Sequence, residues 1–442
     1  TIFYESVKSK VNDWGFFPEI GTEKAPKINI TTGIPAGDKP SDNNRTKLHP
    51  IETPSGASIK PPISSSKHSG IELKVGAAVD GFEPRQLSLN ISNTKLNHLN
   101  MGVVGDLGTG KTQFLKSLIF QISKAQEDNR GVKPRILIFD YKRDYGNKDA
   151  DFVAATGAKI VSPYRIALNL FNTSTLEVSG PPWLSRYRFF SDVLDKIYRG
   201  IGPVQRNTLK MAIQHAYEEC GPSSEPTIYD IHAQYSKALD GGVDSIFSII
   251  DDLVVSELFE PNPKKTLSFD EFFSGVVVIS LGELGQDDRT KNMLVAIMLN
   301  MFYENMLRTP KREFTGTDPQ LRVIDSFLLV DEATNIMKYD FAVLQNILLQ
   351  GREFGAGVIL ASQYLTHFKT ANTDYREALL TWFIHKVPNV SAPQLSALGF
   401  TSELVALVDT IKKFPNHHFS YKTHDVPGDV INGLPFFKIQ GK

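Results

Sequence analysis

The chain has 442 residues, 41% hydrophobic and 22% charged, with 48 Lys+Arg against 49 Asp+Glu for a net charge of −1. These proportions exclude a wholly disordered, collagenous or coiled-coil chain, and the length allows two or three domains or one large domain with an insertion. The near-neutral balance gives no global sign of a nucleic-acid partner, which would need a local basic surface or a positive channel built by several subunits.

The one cysteine, Cys220, excludes an intramolecular disulfide framework and a thiolate-rich zinc site. The ten histidines show no metal-ligand spacing; His417, His418 and His424 lie beside aromatics and read as ordinary surface. No apolar run approaches the roughly 18 residues of a membrane span. The Thr1-Ile2-Phe3-Tyr4-Glu5 start carries no signal-peptide pattern. Such a start is expected of a processed chain or of a fragment of something longer.

In chain order, residues 1–20 carry Phe3, Tyr4, Trp14, Phe16 and Phe17, suiting a short docking helix or the tail of an upstream domain. Residues 21–70 are rich in Pro, Ser, Gly, Asn and Lys and cannot bury enough apolar surface to offset their ordering entropy, so an extended linker is expected. From residue 71 the pattern changes. Ile71–Val75 and Gln86–Ile91 alternate as strands should, with Asp80-Gly81 suiting the turn of a β-hairpin. Short runs that are apolar throughout follow at Leu99–Val104, Ile136–Phe139, Lys159–Val161, Val276–Leu281, Phe327–Val330 and Val358–Ala361. Runs without alternation predict parallel strands covered on both faces, hence an α/β fold with a mainly parallel central sheet. Residues 181–265 interrupt this rhythm with helical spacing, as in Phe189, Phe190, Val193 and Leu209, Ala212, Ile213, Ala216. They are expected to form a helical insertion between a first part of the core, residues 71–180, and a second, residues 266–442.

The strongest local signal is Gly105-Asp106-Leu107-Gly108-Thr109-Gly110-Lys111-Thr112, which matches the phosphate-binding P-loop pattern. Glycines let successive backbone N–H groups curl around a β-phosphate, a lysine reaches the β- and γ-phosphates, and a hydroxyl at the next position ligates Mg²⁺. The context supports the motif: an apolar strand ends at Val104, and Phe114, Leu115, Leu118, Ile119 and Ile122 give a helical stripe after it. The nucleotide ligands expected here are Gly105, Gly108, Thr109, Gly110, Lys111, Thr112 and Gln113.

Phe327-Leu328-Leu329-Val330-Asp331-Glu332 is a buried strand delivering carboxylates at its C-terminal end, the Walker B pattern. Ligands sit at that end in open parallel sheets. Asp331 is expected in the Mg²⁺ shell, and Glu332 is expected to polarise the attacking water. The Gly351–Gln363 segment reads as a helix end, a glycine turn and a strand ending in Gln363. That side chain either senses the γ-phosphate or satisfies loop backbone. Arg352 is either an arginine finger aimed at a neighbour's nucleotide or a solvated helix charge. Asp140, after Ile136–Phe139, either stands in the second shell of the site or caps the next helix. A nuclease reading of Asp140-Tyr141-Lys142 lacks a partner carboxylate.

Together and in this order, these four elements resemble the HerA/FtsK superfamily of P-loop motor ATPases, over roughly residues 71–442. The resemblance implies a RecA-like P-loop NTPase core with ATP and Mg²⁺ as cofactors. It also implies a hexameric ring with double-stranded DNA passing through it, in a cytoplasmic bacterial or archaeal setting. It makes Lys111 and Thr112 nucleotide ligands, Asp331 and Glu332 the Walker B pair, Gln363 the sensor and Arg352 a trans contact. Within the superfamily the runs Gly105–Gln113 and Asp140–Tyr145 look similar to DptH/DndH, the ATPase subunit of phosphorothioation-linked restriction systems. That implies partner nuclease or restriction subunits in anti-phage defence. Two departures are visible: residues 1–70 hold no recognisable β-barrel of the HerA type, and Asp106-Leu107 stand where the family often has small residues. Three functions follow for comparison. The leading one is an ATP-driven DNA translocase, with Lys142, Arg143 and Lys148 as candidate DNA-contacting charges. The second is an ATP-binding switch or scaffold that regulates partner proteins without moving DNA. The third, a coupling or packaging ATPase at a membrane, would need a partner to supply the span.

Overall fold

The computed structural model describes residues 69–79, 85–146, 149–173, 180–198, 201–222, 224–401 and 403–441. All but the last two residues of the expected tail and linker 1–70, the Asp80-Gly81 turn and Lys148 lie outside them.

The parallel runs read from the sequence become strands of one 11-stranded sheet. In chain order these are β1 (Glu72–Ala78), β2 (Gln86–Asn90), β3 (Met101–Val104), β4 (Arg135–Phe139), β5 (Lys159–Val161), β6 (Val276–Ile279), β7 (Ser326–Val330), β8 (Ala356–Ser362), β9 (Thr381–Ile384), β10 (His418–Lys422) and β11 (Pro427–Gly433). Their spatial order is β2-β1-β11-β10-β9-β3-β8-β7-β4-β6-β5. Every pairing from β9 through β5 is parallel. The strands from β10 outward to β2 pair antiparallel. The result is an α/β sheet of the RecA-like type with an antiparallel wing.

Both faces are covered, which is why the central runs do not alternate. Leu137 and Phe139 of β4, with Leu328 and Val330 of β7, enter one apolar core. Ile136, Ile138, Phe327 and Leu329 enter the other. A fully buried side chain of this size contributes roughly 1.5–3 kcal/mol, so these strands supply much of the central stability. The P-loop helix Lys111–Lys124 lies against the second core through Phe114, Leu115, Leu118, Ile119 and Ile122. The helix Asp288–Arg308 lies against the first through Met293, Leu294, Ile297 and Met298.

Between β5 and β6 the chain forms the helices Pro182–Tyr198, Pro203–Cys220, Ile228–Leu239 and Ser245–Val255. Their buried stripes, such as Leu209, Ala212, Ile213, Ala216 and Ile246, Ile249, Ile250, Leu253, join the first core. This layer rests on the sheet face opposite the P-loop helix.

The order of β3, β8, β7 and β4 fixes the site. Strand β8 lies between the P-loop strand β3 and the Walker B strand β7, so the C-terminal ends of all three open on one edge. Asn100 locks the opposite end: its amide donates to the Leu348 and Ala378 carbonyls at 2.7 and 3.1 Å and accepts from Val358 N–H at 3.1 Å.

Candidate nucleotide site

Glycines set the path of the loop after β3. Gly108 and Gly110 have φ of +74° and +93°, values L side chains rarely adopt. A Cβ on Gly110 would also lie 2.3 Å from His417 Nδ1. The loop is tied to both neighbouring strand ends: Gly105 N–H donates to the Ser362 carbonyl at 3.1 Å, and Asp106 N–H to the Lys386 carbonyl at 3.0 Å. The Thr109 hydroxyl donates to the Asp106 carbonyl at 2.8 Å, fixing the loop's own turn. The following helix starts at Lys111 with no acidic residue in its first turn. Its positive end therefore faces the loop uncompensated, as anion binding requires.

Around this loop the sheet brings together residues far apart in sequence. Lys111, 7% exposed, places Nζ 3.7 Å from an oxygen of Asp331 and 3.7 Å from one of Glu332. The Thr112 hydroxyl faces Asp331 Oδ2 at 3.5 Å. Gln363, at the end of β8, puts Nε2 3.5 Å from Glu332 Oε2. Lys142, in the loop after β4, donates to Glu332 Oε1. The Tyr145 hydroxyl donates to Asp331 Oδ2 at 3.1 Å. A cleft of about 370 Å³ lined by residues 106–113, Lys142, Asp144 and His417 opens beside them.

Environment separates the two carboxylates. Burial pushes Asp331 above the ordinary carboxylate range, with the Lys111 charge opposing. Burial also pushes Glu332 up, but the Lys142 hydrogen bond and the Lys111 and Lys142 charges outweigh it, and Glu332 stays below the ordinary range. Glu332 sits at φ +62°. For a non-glycine residue that conformation costs roughly 1–3 kcal/mol, which the surrounding structure must offset. Thr112 with Asp331 makes a hydroxyl–carboxylate pair suited to a hard divalent cation, and the glycine loop makes a nest for phosphate oxygens. The residues fit Mg²⁺ and a nucleoside triphosphate.

The other expected residues fall as follows. The Oε1 of Gln113 is buried without a hydrogen-bond partner, although the residue lines the cleft. Arg352 is not among the groups brought together in this chain. It precedes β8, at the end of the sheet opposite Gln363, beside Arg312 and Arg322 in a shallow depression. Asp140 accepts from the N–H groups of Lys142, Asp144 and Tyr145 at 3.2, 3.0 and 2.9 Å. It thereby shapes the loop that delivers Lys142 and Tyr145. Lys142 pairs with Glu332 while its side chain stays 40% exposed. Arg143 is turned onto the Gly282 carbonyl at 2.7 Å.

Sequence reasoning missed several groups. His417 is not ordinary surface: its N–H donates to the Thr109 carbonyl at 2.9 Å and its ring lines the cleft. Burial first, then the Lys438 and His418 charges, hold it below the ordinary histidine range. His385, at the end of β9, is fully buried behind the loop. His367 Nδ1 meets the Ser362 and Thr334 hydroxyls at 2.8 and 2.9 Å, linking the end of β8 to the turn after Glu332. No spacing rule could reveal these contacts, because residues 367–417 reach the loop only through strand order.

A glycine nest at a helix start, a lysine, a hydroxyl facing a buried aspartate and a catalytic-type glutamate at the switch edge define a P-loop ATPase. The sequence model of the helicase HerA central domain matches residues 73–302, more than half of the chain, and the chain belongs to that family. It is an ATPase of the HerA/FtsK motor type. No curated protein matches the chain. Among solved structures, VirB4 of Thermoanaerobacter pseudethanolicus is similar at 15% identity and a TM-score of 0.60, covering 83% of this chain and 96% of that one. The plasmid coupling protein TrwB in complex with ADP and Mg²⁺ is 15% identical with a TM-score of 0.49, covering 76% of this chain and 84% of that one. At 15% identity the likeness to VirB4 concerns the fold. No helix among the described residues is long and apolar enough to cross a membrane.

Proposed function

We propose that the chain is an ATP-hydrolysing motor that moves duplex DNA and works as a ring of copies of itself. The observation that carries the reading is Glu332, held at a strained backbone position and reached by Lys111, Lys142 and Gln363. In this reading the glycine loop and Lys111 hold the β- and γ-phosphates. Thr112 and Asp331 hold Mg²⁺, which would neutralise the charge that develops on the phosphate oxygens. Glu332 accepts the proton of the attacking water, and Gln363 fixes the carboxylate and the γ-phosphate relative to each other.

Arg352 is proposed as a contact to a neighbour's nucleotide. Its place at the opposite end of the sheet from its own cleft supports that role, since only another subunit's site would then be within its reach. The motor is proposed to require duplex DNA for full activity. The likeness of Gly105–Gln113 and Asp140–Tyr145 to DptH/DndH supports a setting in restriction, with nuclease or restriction subunits as partners. The division into residues 71–180, 181–265 and 266–442 is proposed as two parts of one core around a helical insert. The sizes of the assembly with ATP, with and without duplex DNA, test the central proposal in solution. A ring that retains duplex DNA is expected; an assembled ring that binds no duplex would overturn it.

A switch without translocation has one observation in its favour: Lys142 holds Glu332 within the chain itself. In that case turnover would be slow and stimulated by a partner protein, not by DNA.

A further inference from the structure

The triphosphate groups account for one part of the cleft. The β-phosphate belongs in the glycine nest, and Lys111 and Glu332 mark the γ-phosphate end. The remaining nucleoside must leave along the rest of the cleft, whose wall includes His417.

His417 is unusual in three independent ways. Its backbone φ is +66°, which non-glycine residues bear only where surrounding structure enforces it. Its Nδ1 is buried without a hydrogen-bond partner, sealed against Gly110. Its N–H is spent on the Thr109 carbonyl at 2.9 Å, locking the residue to the loop that grips phosphate. Beside it stands the Phe437 ring, with centroids 5.5 Å apart at 74°, and Phe437 remains 38% exposed although it is a large aromatic. The helix carrying it, Phe436–Ile439, is anchored to the P-loop helix by Phe436 against Phe120.

We propose that His417, which lines the cleft, and Phe437, set edge-on beside it, form the nucleoside subsite against which the base of the bound nucleotide packs. The inference rests on the P-loop reading and adds to it a contribution from the C-terminal segment, beyond the family-matched residues 73–302. Stacking of a base on an aromatic side chain is typically worth enough that its loss weakens binding about tenfold.

Calorimetric titration of the full chain with ADP and with inorganic tripolyphosphate tests the subsite. The variants are His417→Asn, whose side chain tolerates positive φ, and Phe437→Ala. Each variant is expected to weaken ADP about tenfold and to leave tripolyphosphate within about twofold. ADP binding unchanged in both variants, or equal weakening of ADP and tripolyphosphate, overturns the subsite. Lys111→Ala is the separate control. If it weakens neither ligand, the P-loop reading itself has failed, a result distinguishable from failure of the aromatic pair.

Discussion

His385 provides a sharp physical test of how the P-loop is seated. Its ring is fully buried, packs against Phe419 and Phe114 at centroid distances of 4.9 and 5.9 Å, and makes no hydrogen bond through either nitrogen. Burial first, and the Lys111 charge second, push its pKa from 6.5 to about 3. The folded state thus holds this ring neutral while the unfolded chain protonates it below about 6.5. The unfolded state binds more protons between those two values, so stability is complete above about 6.5 and is lost as pH falls. At pH 5 the loss is about 2 kcal/mol, and it grows by about 1.4 kcal/mol per further pH unit until pH approaches 3. His385→Leu should remove this slope, because an apolar side chain suits the aromatic seat and nothing is left unpaired. Urea unfolding of both proteins at pH 7.5 and pH 5 isolates the term, since all other titrating groups cancel in the difference. The variant should lose about 2 kcal/mol less than the native chain between the two pH values. Equal losses would refute the reasoning and mean that the ring is charged or solvated.

Other perturbations probe the site directly. Gly110→Ala places a methyl group 2.3 Å from His417 Nδ1 at φ +93°, and nucleotide affinity measured by fluorescence titration should fall at least about tenfold. Tyr145→Phe removes the hydroxyl that orients Asp331 at 3.1 Å. The Mg²⁺ concentration for half-maximal hydrolysis should then rise about tenfold, as for other lost partners of metal ligands. Lys142→Met frees Glu332 to swing; kcat should fall about tenfold with nucleotide Kd nearly unchanged, and Lys142→Arg should retain most of the rate. A parallel rise in Kd would instead assign Lys142 to nucleotide binding.

The parallel core was legible because burial on both faces writes itself as uninterrupted apolar runs: Ile136–Phe139 and Phe327–Val330 fall inside the strands found, and Val276–Leu281 contains β6 and runs past its end. The strands β9, β10 and β11 were not read. Thr381–Ile384 is a short apolar run that could belong to a helix. In β10, Phe419, Ser420 and Tyr421 are all buried, which erases the alternation expected of an antiparallel strand. In β11, Gly428 and Asn432 break the pattern. The phosphate residues were visible because their backbone conformation demands glycine at fixed spacing. Lys142 and Tyr145 stood in a noticed run, but their attachment to Glu332 and Asp331 depends on β4 lying beside β7. His385 and His417 depend on β9 flanking β3 and on the wing folding back beside it, information that no local pattern carries.

The central claim is that this edge hydrolyses ATP through Glu332 and that hydrolysis serves movement along DNA. The most direct measurement is the steady-state ATPase rate with and without long duplex DNA, for the native chain and for Glu332→Gln. The account predicts strong stimulation by DNA, and a variant that binds nucleotide normally yet hydrolyses at least about a hundredfold more slowly. A rate indifferent to DNA, or a variant as fast as the native chain, would contradict it.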